Sequence, residues 1–476
     1  NLFKDMVCYQ EEVRDPSRMA EVLNRVIEKA IRGSAPAQIN VPRDYWTQVI
    51  DIELPPIVRL ERQGGGAEAI DKAAKLLSNA KFPVILSGAG VVIGGAIEET
   101  KKLAEKLDSP VCSGYQHNDS FPGSHPLAVG PLGYNGSKAA MELISKADVV
   151  LALGTRLNPF STLPGYGIDY WPKNANIIQV DMNPDRIGLT KKVTVGISGD
   201  AKLVATQILE KLSANAGDID RQKRKDLIHQ TKSAWLQKLS SLDHEDDDEG
   251  TVWNKEARER DKDRMSPRQA WRAIQAGMPE DVIISSDIGN NCAIGNAYPT
   301  FEKPRKYLAP GLFGPCGYGF PSILGAKIGC PDTPVIGFAG DGAFGISMNE
   351  MSSCAREEWP AITMVIFRNY QWGAEKRNTT LWFDNNFVGT ELDPELSFAK
   401  VADACGLKGV TVKTMEETTE AIKKSCEDQK KGITTFIEVI LNQELGEPFR
   451  RDAMKKPVRV AGIKKEDMKK QPSLNS

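Results

Sequence analysis

The stretch GDGAFGISMNEMSSCAREEWPAITMVIFRNYQWG (residues 340–373) decides the reading of this chain. Gly-Asp-Gly closes the apolar run PVIGFAG (334–340). A segment of helical composition follows, about Ile346 to Arg356, and then a second apolar run, ITMVIF, which leads into Arg368-Asn369. Strand, helix and strand in this order predict a right-handed crossover between parallel, adjacent strands. Asp341 and Asn369 then stand at one carboxyl edge, where open α/β sheets bind their ligands. Gly340 and Gly342 allow the backbone to turn sharply and a ligand to approach it closely. One carboxylate and one amide oxygen suit a hard cation, and magnesium takes about six oxygens, usually several of them from a phosphate. The helix start after Gly342 offers N–H groups and a favourable dipole to that phosphate. The arrangement therefore predicts a metal–diphosphate site.

Working outward, the same alternation recurs. Ser266-Pro267 has the form of a helix N-cap followed by Pro at the first position. The helix PRQAWRAIQAGM and the strand DVIISSD follow it, and a late helix and strand span Glu416 to Ile440. Upstream, AIDKAAKLLSNA, PVILSGAG, a helix from Ile97 to Leu107, SPVCS, DVVLALG and NIIQVDM repeat helix and strand up to about Leu212. The fold class this predicts is α/β, with two parallel-sheet domains. Residues 1–60 hold a helix from Pro16 to Ile31, a short strand in AQINVPRDYW and a proline-rich linker. Residues 214–265, with the acidic run DHEDDDE at 243–249, are expected to be a charged linker or surface insertion.

The 61 basic and 63 acidic residues nearly balance, so no overall field favours nucleic acid or a membrane surface. The eight cysteines form no CxxC pair, which favours reduced thiols in a cytoplasmic protein over a disulfide or zinc framework. No apolar run approaches the roughly 20 residues of a transmembrane helix. SGAGVVIGG (87–95) has Gly88 and Gly90 but Ile93 at the third glycine position of a dinucleotide fingerprint. A tight structural turn is the favoured reading, with a nucleotide in this domain left open.

The 340–373 motif closely resembles that of the thiamine-diphosphate-dependent enzymes, and GPCGYGFPSILGAKIG (314–329) resembles their acetolactate-synthase branch. The family motif usually ends in Asn-Asn, where this chain has Arg368-Asn369. The resemblance implies that Asp341, Asn369 and the Gln371 carbonyl hold Mg2+. It also implies that Gly340, Gly342 and Ala343, with Gly289, Asn290 and Asn291 of SDIGNN, meet the diphosphate. Cys316, beside Gly317, takes the position of the bulky residue that props the cofactor into a bent shape.

By this resemblance residues 1–55 are the end of a pyrimidine-binding domain and a linker, 66–213 a central domain and 266–445 the diphosphate domain. Residues 446–476 form a C-terminal tail. The chain begins at Asn1, and the expectation is that most of the first domain, with its cofactor-activating glutamate, lies upstream. The stretches 1–19, 157–172 and 367–392 resemble one acyl-transferring branch, for which the implied substrates are sulfoacetaldehyde and phosphate and the products acetyl phosphate and sulfite. A homodimer or homotetramer is implied as well. Acetolactate synthase or another 2-oxo-acid carboligase, and a non-catalytic cofactor-binding fragment, are the rival readings. Two anionic substrates call for cationic donors. Arg368, Lys376 and Arg377 flank the metal strand and are the candidates, with Arg450, Arg451, Lys455 and Lys456 of the tail behind them. None of the four histidines (His117, His125, His229, His244) lies in the diphosphate domain; His117 and His125 flank a central-domain loop, where a place on the polar surface is favoured over one facing a cleft.

Overall fold

The central strands of this chain are mostly apolar and buried along nearly their whole length because both faces are covered, as parallel sheets require. A computed structural model describes residues 2–56, 61–241, 259–311, 313–356, 358–383 and 386–444, apart from the side chains of Asn378, Thr380, Leu381 and Trp382. The acidic run 243–249, His244 and the tail with Arg450, Arg451, Lys455 and Lys456 lie outside the described residues.

The chain divides into two compact units, residues 1–63 and 64–476. In the first, strands β1 (Tyr9–Glu12) and β2 (Ala37–Asn40) pair in parallel across the helix Met19–Gly33, and Val13, Val22 and Val26 form a small core.

The second unit carries two sheets. The first contains β3 (Pro83–Ser87), β4 (Val111–Ser113), β5 (Ala128–Pro131), β6 (Val149–Leu153), β7 (Asn176–Asp181) and β8 (Val195–Ser198). Its order is β5-β4-β3-β6-β7-β8, with every pairing parallel. The second contains β9 (Ile283–Ser286), β10 (Tyr307–Leu308), β11 (Val335–Gly340), β12 (Thr363–Arg368), β13 (Lys408–Val412) and β14 (Thr435–Ile440), in the order β10-β9-β11-β12-β14-β13, again all parallel. The helix Pro267–Gly277 starts at Ser266 with the expected cap. The Ser266 hydroxyl accepts from Gln269 N, and the Gln269 side chain accepts from Ser266 N.

In the first sheet the order reverses between β3 and β6. There Gly90 N donates to Gly154 O at 2.8 Å, and a Cβ on Gly88 or Gly90 would lie 2.5–2.6 Å from the Gly154 backbone. The glycines of SGAGVVIGG thus serve close backbone packing. The second sheet reverses between β9 and β11, so its crevice lies where Asp287 to Asn291 and Gly340 to Ala343 emerge.

Two elements differ from the sequence reading. Residues 221–241 form a helix rather than a charged linker. Arg224, Ile228 and Trp235 share one stripe of it and are buried against the first sheet's domain, while the charged residues cover the remaining faces. The helix expected from about Ile346 begins instead at Asp341 and runs to Ser347. It continues as a 3-10 turn (Met348–Glu350) and a short helix (Met351–Cys354). Gly342 and Gly345 are accommodated within it, and Gly340 takes an ordinary extended conformation (φ −71°, ψ 159°), so it makes no strained turn.

The two sheets of this unit are stapled by polar contacts. Asn118 Nδ2 donates to the carbonyls of Asn296 (2.9 Å) and Pro299 (2.8 Å). The buried Asp119 accepts from the backbone N–H groups of Lys306 and Tyr307. Beside this seam, burial and the neighbouring Arg156 push the His117 imidazole down to about 4, so it is not the ordinary surface group expected. Between about pH 6.5 and 4 the unfolded chain takes up a proton that the folded chain refuses, and stability falls as pH falls. Denaturant unfolding at pH 7 and pH 5 should show His117→Asn removing up to about 2 kcal/mol of that loss. An unchanged pH dependence would show that His117 is not responsible.

Candidate active site

β11 and β12 pair in parallel with Gly340 opposite Phe367, and this brings Asp341 and Asn369 to the same sheet edge. Both are about 2% exposed. They line one cavity with Gly289, Asn290, Asn291, Cys316, Gly340, Gly342, Ala343 and Gln371. Of the cofactor and metal residues read from the sequence, only Gly317 stands outside the lining. It adopts φ +88° in the loop behind the cavity, and its N–H donates to Asp287 at 3.1 Å.

The Asp341 carboxylate is held by three donors. Oδ2 accepts from Tyr370 N at 2.7 Å and from Arg368 Nη1 at 3.0 Å, and Oδ1 accepts from Gly342 N at 2.9 Å. Burial pushes its pKa up to about 6, with Arg368 and the two N–H groups acting in the opposite direction. Gly289 stands at φ +137°, which suits glycine, and opens the five-residue helix Asn290–Ile294.

Three buried polar atoms on the cavity residues have no hydrogen-bond partner: Asn290 Nδ2, Asn291 Oδ1 and Gln371 Oε1. Unpaired groups of this kind are costly unless something else satisfies them. A Cβ built on Gly340 meets nothing within 4 Å, so that wall is open for a ligand. Among the described residues no cluster of three or more His, Cys, Asp or Glu forms a self-sufficient cation cage. A single carboxylate with amide and carbonyl oxygens fits a magnesium ion that draws its other ligands from a diphosphate.

Gly342 has a second constraint, because a Cβ there would lie 2.8 Å from the Trp372 ring on the cavity wall. Gly342→Ala should displace that ring at a cost of about 1–3 kcal/mol and weaken cofactor binding. A thermal melt with a cofactor titration checks this, and a variant matching the parent in both would contradict it.

The three cationic candidates stand apart from the cavity lining. Arg368 is buried and ion-paired with Asp341, so it is not a free anion donor as expected. Lys376 is bound to Glu391 and to Gln443 Oε1. Arg377 reaches the cavity wall from behind. Its Nη1 donates to Tyr134 Oη at 3.0 Å and to Asn290 Oδ1 at 3.2 Å. Burial explains all three: a helix over Gly373–Trp382 turns the two neighbouring cations inward.

Sequence reasoning missed Asp287. This residue, 1% exposed, accepts from Ile288 N, Gly317 N and Gly319 N and so shapes the glycine-rich loop around the cavity. Its position at a strand's carboxyl end, two residues before Gly289, was the available signal. Tyr115, Tyr134 and Phe160 were missed too. They line an adjoining vestibule of about 260 Å3 that shares Gly289, Asn290 and Glu375 with the cavity.

Comparison with known proteins agrees with this geometry. A family model described as thiamine pyrophosphate enzyme, central domain, matches residues 70–208, and one described as thiamine pyrophosphate enzyme, C-terminal TPP binding domain, matches residues 287–439. A solved benzoylformate decarboxylase from Polynucleobacter necessarius shares the fold, with a TM-score of 0.74 at 20% identity over 94% of this chain and 78% of that one. Fold and site thus define a thiamine-diphosphate-dependent enzyme. The chain is 78% identical over 470 residues to a probable sulfoacetaldehyde acetyltransferase of Rhizobium meliloti, covering 99% of itself and 80% of that protein. It is 74% identical to the sulfoacetaldehyde acetyltransferase of Roseovarius nubinhibens, over 98% of itself and 78% of that protein. The chain belongs to the sulfoacetaldehyde acetyltransferase family.

Proposed function

We propose that this protein converts sulfoacetaldehyde and phosphate to acetyl phosphate and sulfite, using Mg2+ and thiamine diphosphate. The observation that carries the reading is the convergence of Asp341 and Asn369 at the ends of neighbouring parallel strands, beside the unpaired Asn290, Asn291 and Gln371 side-chain atoms. Asp341, Asn369 and the Gln371 carbonyl would hold the cation. Gly289, Asn290 and Asn291, with the helix start at Gly342 and Ala343, would receive the diphosphate, and Cys316 would support the cofactor from the glycine-rich loop.

When bound, thiamine diphosphate supplies an electron sink at the aldehyde carbon. In the net reaction the C–S bond breaks with its electron pair leaving on sulfite. The methylene carbon becomes a methyl group, the aldehyde carbon reaches the acyl level, and phosphate oxygen bonds to it. No external oxidant is needed. Of the cationic candidates, Arg377 is the one that backs the cavity wall, through Asn290, and its charge would act on the substrate oxyanions across that wall and not by direct contact. Residues 1–55, 66–213 and 266–445 correspond in this reading to the end of a pyrimidine-binding domain with its linker, a central domain and a diphosphate domain. The protein works in the cytoplasm as a homodimer or homotetramer, and the described residues include no helix long and apolar enough to cross a membrane.

The test is incubation with sulfoacetaldehyde, phosphate, Mg2+ and thiamine diphosphate. Sulfite and acetyl phosphate should appear in equal amounts. Pyruvate consumption without sulfite release would favour a 2-oxo-acid carboligase and overturn the proposal.

A further inference from the structure

We propose that Arg368 is a positioning residue for the cation-binding carboxylate: it fixes the Asp341 side chain and ties it to the backbone of residues 393–396. The inference rests on the reading that Asp341 holds Mg2+. Where the related motif usually has asparagine, this chain puts a long cation into a site where it is about 1% exposed. A buried charge needs partners on every side. Nη1 donates to Asp341 Oδ2 at 3.0 Å. Nη2 donates to Leu396 O at 3.0 Å and to Asp393 O. Nε lies 3.7 Å from Glu438 Oε1, and the guanidinium sits over the rings of Tyr370 (4.2 Å) and Phe398 (5.4 Å).

Glu438 is itself fixed by Ser397 Oγ at 2.7 Å, Phe398 N at 3.2 Å and Thr411 Oγ1 at 3.3 Å. The other two donors to Asp341, Gly342 N and Tyr370 N, are backbone groups. Arg368 is therefore the side chain that orients the carboxylate. Its anchor also has a second attachment to the metal segment, because Trp372 N donates to Thr390 O at 2.8 Å and Leu392 N to Tyr370 O at 2.9 Å. Residues 390–396 form a strap across the segment bearing Asn369 and Gln371, and Arg368 latches that strap to Asp341.

Two effects oppose each other when Arg368 is removed. Its positive charge repels Mg2+, so electrostatics alone would tighten metal binding. Its loss also frees the ligand carboxylate, and removal of such outer-shell partners typically weakens metal affinity about 10–100-fold. Because the guanidinium is fully buried and its Nη2 is pinned to two backbone carbonyls, orientation is the larger effect.

The experiment titrates Mg2+ into full-length, metal-free protein at saturating thiamine diphosphate, following tryptophan fluorescence, since Trp372 lines the cavity. For Arg368→Gln the expected result is a rise of about 10–100-fold in the Mg2+ half-saturation point, with partial recovery in Arg368→Lys. Melts of the cofactor-free variants report folding separately. A folded variant with unchanged or tighter Mg2+ binding overturns the proposal. A second measurement stands independently of those variants: hydrogen exchange of the 390–396 amides in metal-free Asp341→Asn should be faster than in the parent. Unchanged exchange there overturns it as well. If the unaltered protein shows no magnesium dependence, the reading of Asp341 itself fails, which is a different outcome from normal dependence that the Arg368 variants leave intact.

Discussion

Asp341→Ala is expected to abolish magnesium-dependent binding of thiamine diphosphate, lowering affinity at least about 100-fold, or about 2.7 kcal/mol. The size follows from the donor set. Asn369 and the Gln371 carbonyl are neutral oxygens, and among the described residues no further acidic cluster can substitute. Of the three proposed ligands Asp341 is therefore the single one with a formal charge, and a diphosphate alone holds Mg2+ less firmly to the protein. The fold should survive the change. Arg368 keeps its approach to Glu438, so any loosening is confined to the 390–396 strap, and the small side chain at 341 relieves the cost of a buried carboxylate. Calorimetric titration with and without Mg2+, alongside circular dichroism, separates the two effects. Retained affinity would mean that the cation is held elsewhere.

Arg224→Ala is expected to have the largest effect on stability, a loss of about 3–5 kcal/mol. This guanidinium, 1% exposed, donates to five backbone carbonyls. Nε reaches Asp108 O at 3.0 Å, Nη1 reaches Lys81 O and Ile219 O at 2.7 Å, and Nη2 reaches Leu107 O at 2.9 Å and Gly217 O. Leu107 and Asp108 end the helix Ile97–Leu107, so two of the acceptors are terminal carbonyls with no intrahelical partner. Removing the side chain strands several buried acceptors together and releases the helix Arg221–Ser241 from the sheet it covers. Equilibrium urea unfolding of the cofactor-free protein measures the loss. A change under about 1 kcal/mol would show that water replaces the guanidinium.

The same arginine shows where sequence reading stops. Residues 221–241 carry seven charged residues in 21 and sit within the charged stretch 214–265, and that charge dominates any composition-based view of them. The stripe Arg224, Ile228 and Trp235 is visible only once an arginine is allowed to be interior. The sheets repeat the lesson. The inner strands Pro83–Ser87, Val149–Leu153 and Thr363–Arg368 are buried at every residue, and they read from the sequence as apolar runs. The edge strands Ala128–Pro131, Val195–Ser198, Tyr307–Leu308 and Lys408–Val412 escaped. Those strands are short or half-solvated, so their sequences carry no continuous apolar signal.

The site divides in the same way. Asp341 and Asn369 were legible because a strand–helix–strand crossover fixes their meeting from local sequence alone. The fate of Arg368 was not, since its partners include Glu438, brought beside it by the sheet order, and Leu396, brought there by a returning loop. Lys376 likewise met Glu391 through a returning segment.

The central claim is tested most directly by a crystal structure with Mg2+ and thiamine diphosphate bound. The account predicts one octahedral cation about 2.0–2.1 Å from a carboxylate oxygen of Asp341, the amide oxygen of Asn369 and the carbonyl of Gln371, with diphosphate oxygens among its remaining ligands. A cofactor whose cation contacts none of these three residues would contradict it.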